Sequence, residues 1–245
     1  MDRREFLKIA AFEVGMSLFT KDIFRFLNTV PSTPGEIIRR GDPSKAQVAL
    51  TFDDGFLPQH VEKILRVAEY YNLRFTFFPL GWRVMDREPD LWRAVLDAGH
   101  EGANHSYTHR VLRTDRLSLE EIANDIKDHQ TLLDQVAGRY VPVRFFRPPG
   151  GYIEPIVLQI ANEQGYDVVT WSRSSGGTGA ASTPDSSYEN VIKATNGDIV
   201  LMHCINNDTA RLSEMIEKLF GENLEIVTIS KLLDLDPPAS VDSQS

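Results

Sequence analysis

The chain has 245 residues, enough to bury one large core, and a single α/β domain accounts for this length as readily as two smaller domains. Its formal net charge of -9 at pH 7, with no basic stripe, argues against nucleic acid as a partner. The single cysteine, Cys204, excludes an internal disulfide. None of these properties specifies an oligomeric state.

The N-terminus carries the motif DRREFLK at residues 2–8, followed by an apolar stretch at 9–19. The Arg3-Arg4 pair and the apolar stretch resemble a twin-arginine export signal, which would engage the export machinery and predicts an extracytoplasmic location in the periplasm, the cell envelope or the medium. Glu13 interrupts the stretch and no small-x-small cleavage site follows. The alternative is an amphipathic helix packed on the domain, and with it a cytoplasmic location stays open.

Composition suggests where the main domain begins and ends. Residues 29–46 are rich in Pro, Gly and Ser and are interpreted as a lead-in to it. We therefore predict an N-terminal segment with signal and linker at 1–35, a catalytic domain at 36–236 and a disordered tail at 237–245.

Short apolar or β-branched runs alternate with longer segments of helical periodicity. The runs lie at residues 47–52, 74–80, 101–105, 144–149, 167–172, 198–203 and 225–230. Such alternation predicts an α/β fold, a closed or nearly closed barrel of about seven parallel strands similar to a TIM barrel. The Ser/Gly-rich segment 172–187 is predicted to be a flexible loop after the fifth strand, either idle or gating substrate.

The chemically promising side chains follow different predicted strands. Asp53 and Asp54 end the first strand, His105 the third, Arg147 the fourth and His203 the sixth. Because the carboxyl ends of barrel strands meet on one face, these side chains are predicted to form one site.

Two of these features together indicate a metal site. In NHSYTH (104–109), His105 and His109 are four residues apart, so a helix after the third strand would put both imidazoles on one face. Two imidazoles and one carboxylate make an open three-ligand site for zinc or another divalent transition metal. The histidine spacing alone also fits two solvent-exposed histidines; the aspartate pair at another strand end favours the metal.

Four motifs resemble those of the polysaccharide deacetylase family, the NodB-homology carbohydrate esterases of family 4, across about residues 36–236. TFDDG (51–55), HSYTH (105–109), RPPGGY (147–152) and LMH (201–203) resemble the first, second, third and fifth family motifs. The resemblance implies a distorted (β/α) barrel that removes acetyl groups from N- or O-acetylated sugars of a glycan. It also implies a divalent metal held by Asp54, His105 and His109; we expect Zn²⁺, with Co²⁺, Ni²⁺ or Mn²⁺ as alternatives.

The same resemblance assigns roles around the metal. Asp53 is the implied base, and Arg147 is the arginine that pairs with it. The metal separates the roles of the two neighbouring carboxylates, since one is a ligand and the other takes a proton. The backbone N–H of Gly150, a position that is usually tyrosine in the family, is the implied oxyanion donor, and Tyr152 is a partial replacement for the missing ring.

The resemblance makes His203 the acid that protonates the leaving group, and Leu201 and Trp171 walls of the acetyl pocket. Leu201 could equally be ordinary core. Relatives carry an aspartate near the position of Ser174, where it holds the acid histidine. Here either another carboxylate replaces it, with Asp167 and Asp198 as candidates, or His203 is a weaker acid.

The remaining candidates are read as structural. His60, His100 and His129 are predicted to be surface or helix-packing residues. Cys204 is predicted to face the surrounding helices, because alternate strand residues point to opposite sides.

Two other functions stay open beside glycan deacetylation. One is a metal-dependent amidohydrolase of the same fold that acts on a small non-sugar amide. The other is a non-catalytic glycan-binding relative. The sequence specifies neither the glycan nor whether the acetyl group is bound through nitrogen or oxygen.

Overall fold

The computed structural model of the chain describes residues 35–235. The predicted export signal and the predicted disordered tail lie outside these residues. Among the helices within them, none is long and apolar enough to cross a bilayer.

Short strands alternate with helices along the described chain. The strands are β1 (Ile37–Ile38), β2 (Gln47–Asp54), β3 (Thr76–Pro79), β4 (Glu101–Gly102), β5 (Phe145–Phe146), β6 (Asp167–Val169), β7 (Arg173–Ser174), β8 (Ile199–His203) and β9 (Glu225–Ile226). The α-helices are α1 (Pro58–Tyr70), α2 (Pro89–Asp97), α3 (Leu119–Ala137), α4 (Pro155–Glu163), α5 (Pro184–Val191), α6 (Asn206–Thr209), α7 (Leu212–Gly221) and α8 (Ile229–Leu232). A π-helical turn covers Gly81–Met85 and a 3-10 turn covers Pro149–Gly151.

The strands follow the circumference of a distorted barrel, which confirms the predicted fold. One sheet has the order β4-β3-β2-β8-β7, with β9 on the first residues of β2, and the other has the order β1-β6-β5. All these strand pairs are parallel. The two sheets meet where Asn104, just after β4, forms a parallel bridge with Phe146 of β5. Between β1 and β8 the described backbone shows the antiparallel bridge of Arg40 with Asp198 and no ladder, so the barrel is not fully closed.

Alternation along the central strands determines which side chains face the barrel interior. In β2, Val48, Leu50 and Phe52 belong to the large buried cluster that the helices cover, whereas Ala49 belongs to the smaller inner cluster. In β8, Val200 and Met202 pack on the helix side. Because side chains alternate with period two, Asp53 and His203 lie on the interior side, directly opposite each other in the β2–β8 register.

The structure differs from the sequence-based expectation in two segments. The lead-in contributes β1, whose residues pair with Val168 and Val169 and extend the barrel wall. The Ser/Gly-rich segment 172–187 is not simply a flexible loop, since it begins with β7 and ends in the first turns of α5. Both strands are only two residues long, too short to show the alternation by which a strand is recognised in a sequence.

Candidate metal centre and active site

The two adjacent carboxylates of β2 reach the same site because the chain leaves the extended conformation between them. Neighbouring strand residues point to opposite faces, but Asp54 has φ 70° and Gly55 has φ 92°. Nε2 of His105 lies 3.6 Å from Oδ2 of Asp53 and 3.6 Å from Oδ1 of Asp54. The left-handed turn thus brings both carboxylates to one imidazole.

The two histidines converge through a non-helical turn, so the expected helix after the third strand is absent. Ser106 and His109 both have left-handed backbone conformations, with φ values of 67° and 62°. The ring centroids of His105 and His109 are 5.1 Å apart. A loop rather than a helix face therefore aligns them.

Helix α3 holds this turn from behind. Asp125 accepts hydrogen bonds from the backbone N–H groups of Tyr107 (2.8 Å) and Thr108 (2.7 Å). His129 Nδ1 is 3.0 Å from the carbonyl oxygen of Ser106 and donates to it, since a carbonyl can only accept. The sequence reasoning missed Asp125, because an aspartate inside an amphipathic helix has no local signal of a buried role.

Three ligand atoms meet between this turn and the end of β2. One atom each from Asp54, His105 and His109 lies within 4.8 Å of the others, and His109 Nε2 is 3.2 Å from Asp54 Oδ1. That carboxylate oxygen is buried, and it has no hydrogen-bond partner among the described residues. A buried acceptor without a donor is costly, and a cation would satisfy it. The residues present therefore fit a divalent ion, and one oxygen with two imidazole nitrogens is a donor set that zinc accepts.

The protonation of the histidines also suits a metal. Nδ1 of His105 lies 2.7 Å from the carbonyl oxygen of Arg147, so it carries the proton and leaves the lone pair on Nε2. Burial lowers the pKa of His109, as does neighbouring His105, although the carboxylate of Asp54 opposes both. The neutral imidazole is the form that ligates metals.

Arg147 is completely buried and orients Asp53. Its guanidinium donates to Oδ1 of Asp53 at 2.6 Å, to Oγ1 of Thr51 at 2.9 Å and to the carbonyl of Thr170 at 3.1 Å. The ring of Phe78 lies beneath it, with the centroid 3.9 Å from Cζ. Burial lowers the pKa of Arg147, and the charge of Asp53 opposes this effect.

The predicted oxyanion and aromatic residues follow Arg147 in the 3-10 turn. Gly150 has φ 67° and is exposed, and a Cβ there would meet no atom. Tyr152 is 40% exposed, and the guanidinium of Arg113 lies 5.2 Å from its ring centroid. The tyrosine ring is therefore available at the surface beside the turn.

The predicted pocket residues lie on the interior side of the barrel. Leu201 is buried and pairs with Thr51 of β2 and Ser174 of β7. The indole of Trp171 is partly buried, 5.9 Å from the guanidinium of Arg147, and a Cβ on Gly151 would collide with it. Trp171 thus lies beside Arg147, and Leu201 is paired in register with Thr51, which accepts a hydrogen bond from Arg147.

His203 is paired with a carboxylate that the sequence reasoning missed. Oδ2 of Asp208 accepts from the backbone N–H of His203 at 2.7 Å and lies 3.6 Å from Nδ1, an ion-pair distance rather than a hydrogen bond. Burial lowers the pKa of His203, but the carboxylates of Asp208, Asp53 and Asp54 outweigh it, so the pKa is raised overall. No local pattern distinguishes Asp208 from an ordinary polar turn residue.

Neither of the expected replacement carboxylates occupies that place. Asp167 begins β6 and lies 3.6 Å from Nε of Arg144. Asp198 directly precedes β8 and accepts from Ser172 Oγ at 2.7 Å. Five residues of extended chain, roughly 16 Å, separate Asp198 from His203, so the two lie at opposite ends of the strand.

The remaining histidines and the cysteine occupy structural positions. His100 is buried at the start of β4, where Nδ1 accepts from the N–H of Phe75 at 3.1 Å. Nδ1 of His60 is 2.9 Å from Oγ1 of Thr209. Cys204 is buried in the cluster between strands and helices, as the alternation along β8 predicts.

The fold and site define a β/α-barrel protein with a cluster of two histidines and one carboxylate beside an arginine-held aspartate. The polysaccharide deacetylase family model matches residues 40–169. A peptidoglycan-N-acetylglucosamine deacetylase of Bacillus cereus is 37% identical over 192 residues, which are 76% of this chain and 87% of that protein. The chain belongs to the polysaccharide deacetylase family.

Solved structures of related proteins include both an enzyme and a pseudoenzyme. The Bc1960 peptidoglycan N-acetylglucosamine deacetylase is 28% identical with a TM-score of 0.75, over 83% of this chain and 95% of that one. BA3943 of Bacillus anthracis, a pseudoenzyme of carbohydrate esterase family 4, is 29% identical with a TM-score of 0.76, over 82% of this chain and 70% of that one. Family membership alone therefore does not distinguish an active from an inactive protein.

Proposed function

We propose that this chain is a divalent-metal-dependent hydrolase that removes the N-acetyl group from N-acetylated sugars, with the glycan of peptidoglycan as substrate. The three ligand atoms of Asp54, His105 and His109 within 4.8 Å, beside an Asp53 held by Arg147, carry this proposal. Similarity to peptidoglycan-N-acetylglucosamine deacetylases supports the substrate class.

The ligands would be the carboxylate of Asp54 and the Nε2 atoms of His105 and His109. We expect Zn²⁺ first, and Co²⁺, Ni²⁺ or Mn²⁺ as alternatives, because carboxylate and imidazole ligands accept all of them. When bound, such an ion lowers the pKa of water to about 7 and stabilises negative charge on an acyl oxygen.

Asp53 is the proposed general base. Its Oδ1 is occupied by Arg147, which leaves Oδ2, the oxygen on the His105 side, free to accept a proton from the attacking water. The oxygen of that water forms the new bond to the acetyl carbon. The guanidinium is itself fixed by its hydrogen bonds to Thr51 and Thr170, so its charge-assisted bond to Oδ1 holds the carboxylate in one orientation and keeps the accepting oxygen towards the ligands.

The backbone and the opposite strand supply the other two groups. The N–H of Gly150 is the proposed donor to the developing oxyanion. His203 is the proposed general acid, whose proton passes to the sugar nitrogen as the C–N bond breaks. Acetate and a free amine are the products. Leu201 and Trp171 are the proposed walls around the acetyl methyl group.

We also propose that the protein acts outside the cytoplasm, guided by the twin-arginine motif at Arg3 and Arg4. A peptidoglycan substrate supports this location, because the polymer lies in the cell envelope. The motif itself is outside the described residues.

Acetate release from peptidoglycan, chitin oligomers and acetylxylan, with metal-stripped and metal-restored protein, tests the proposal. We expect metal-dependent release from the N-acetylated polymers. Glycan binding without acetate release in either state would instead identify a non-catalytic relative. Hydrolysis confined to small cyclic amides or formamides would identify an amidohydrolase of the same fold.

A further inference from the structure

Asp208 is a buried carboxylate whose ion-pair partner among the described residues is His203. Its exposed fraction is 0%, and no lysine or arginine within residues 35–235 forms an ion pair with it. A buried carboxylate is costly unless it is paired or fully hydrogen-bonded. The imidazole of His203, 3.6 Å away, is the group placed to supply a positive charge.

The Ser/Gly-rich segment encloses this carboxylate and fixes its direction. Oγ of Ser187 donates to Oδ1 at 2.5 Å, while the backbone N–H of His203 donates to Oδ2 at 2.7 Å. A Cβ on Gly177 would collide with both carboxylate oxygens, so the backbone of the segment packs directly against them. Asn207 donates to the carbonyl of Gly177 at 3.0 Å and ties the segment to α6. Each oxygen therefore has one fixed donor.

The imidazole nitrogen that faces this carboxylate makes no hydrogen bond to any other described residue. Nδ1 of His203 is buried and has no hydrogen-bond partner among the described residues. Ser174, near whose position the family resemblance implies an aspartate, has no charge, and its Oγ accepts from the N–H of Gly176 at 3.1 Å. Oδ2 of Asp208, 3.6 Å away, is the carboxylate oxygen that this nitrogen faces.

We propose that Asp208 is the positioning residue of the acid histidine, a carboxylate supplied by the helix after β8 instead of the strand that contains Ser174. This inference rests on the proposed function. The carboxylate accepts the Nδ1 proton, which fixes the tautomer and leaves Nε2 to carry the proton that is transferred. As the C–N bond breaks, its electron pair stays on nitrogen, that nitrogen takes the Nε2 proton, and His203 becomes neutral.

Leaving-group dependence separates this role from a merely structural one. An amine leaves only when protonated, whereas 4-nitrophenolate leaves without a proton. We expect Asp208→Asn in the Zn²⁺-loaded protein to lower kcat for deacetylation of an N-acetylglucosamine pentamer by about 10- to 100-fold. This loss is smaller than the about 100- to 10,000-fold that a general acid itself contributes, because Asp208 acts only through His203. Hydrolysis of 4-nitrophenyl acetate should change by less than about 3-fold, because the acid is not needed there.

Two further variants control for folding and charge. Asp185→Asn removes an exposed carboxylate from the same helix as Ser187, one that pairs with Arg211, and should leave both activities unchanged. Ser187→Ala keeps the charge of Asp208 but removes one of its two fixed donors, so a smaller loss confined to the amide is expected. In Asp208→Asn, a second change of Ser174→Asp should restore part of the amide activity.

Equal loss of both activities in Asp208→Asn, or loss of neither, would overturn the inference. Side-chain NMR gives a readout that does not need turnover: the Nδ1 proton of His203 should be protected from exchange in the wild type and lose protection in Asp208→Asn. An unprotected Nδ1 proton in the wild type also contradicts the inference. A wild-type protein that releases acetate from no substrate refutes the proposed function instead, and the NMR result still decides the position of Asp208.

Discussion

Arg147 donates a 2.6 Å hydrogen bond to Oδ1 of Asp53 while both side chains are buried inside the barrel. The backbone carbonyl of the same arginine accepts from Nδ1 of His105 at 2.7 Å. One residue therefore orients the proposed base with its side chain and a proposed metal ligand with its backbone. Substitution of Asp53 should therefore affect turnover, whereas substitution of His105 should affect metal binding.

Replacing Asp53 by Asn should abolish turnover and leave the metal bound. The amide cannot accept the water proton, and a general base contributes about 100- to 10,000-fold to rate. Acetate release and metal content measured on the same preparation check this. Activity within a few-fold of the wild type would refute Asp53 as the base.

Replacing His105 by Ala should empty the metal site. The change leaves two of the three proposed ligands, and His109 is partly exposed, so affinity should fall by at least about 100-fold. Metal content after dialysis measures the effect. His60→Ala is the matched histidine control, because His60 contacts Thr209 and not the cluster; equal metal content in both variants would contradict the assignment.

Replacing Arg147 by Met should destabilise the fold as well as reduce activity. The variant leaves the buried carboxylate of Asp53 unpaired, and breaking a buried pair in this way costs about 3 to 5 kcal/mol. The free energy of unfolding in urea measures it. Arg113→Met is the control, since its ion pair with Asp115 is at the surface and such pairs contribute at most about 1 kcal/mol. Similar losses in the two variants would show that the buried pair has no special stabilising role.

His100 should make stability depend on pH. Burial, with a smaller effect of Arg74, lowers its pKa from 6.5 to about 4. The unfolded state then binds the proton more readily, so the stabilisation is complete above pH 6.5 and is lost as the pH falls from 6.5 through 4. A shift of this size corresponds to about 3 kcal/mol.

Unfolding free energies between pH 7 and pH 4 should therefore fall less steeply in His100→Asn than in the wild type. Asparagine keeps an acceptor for the N–H of Phe75 and removes the titrating group. Parallel curves for the two proteins would show that His100 does not contribute to the acid sensitivity.

Replacing both Arg3 and Arg4 by Lys should retain the protein in the cytoplasm if they form the proposed twin-arginine signal, because that signal is read as an arginine pair rather than as charge. Immunoblots of cytoplasmic and envelope fractions measure this. The double change of Arg39 and Arg40 to Lys is the matched control and should not alter the distribution. Unchanged export after loss of the first pair would contradict the proposed signal.

Much of the fold and part of the site could be predicted from residues alone. The alternation of apolar runs with helical segments predicts a parallel barrel, because buried strands and amphipathic helices have different periodicities. Parallel strands then require that Asp53, His105 and His203, each at a strand's carboxyl end, lie on one face. These inferences depend on the local periodicity of apolar residues and on the direction of each strand, and both can be read from the order of residues in the chain.

The tertiary structure alone decided how the site is held together. The turn at Ser106 and His109, the support from Asp125 and the pairing of Asp208 with His203 all depend on contacts between segments that local periodicity does not relate. Asp167 and Asp198 are near Ser174 and His203 in the sequence, yet each lies at the amino end of its strand, away from His203. Which side chains lie beside a carboxylate depends on how the barrel strands are arranged and how the loops fold back over them. The order of charged residues along the chain does not specify these distances in space.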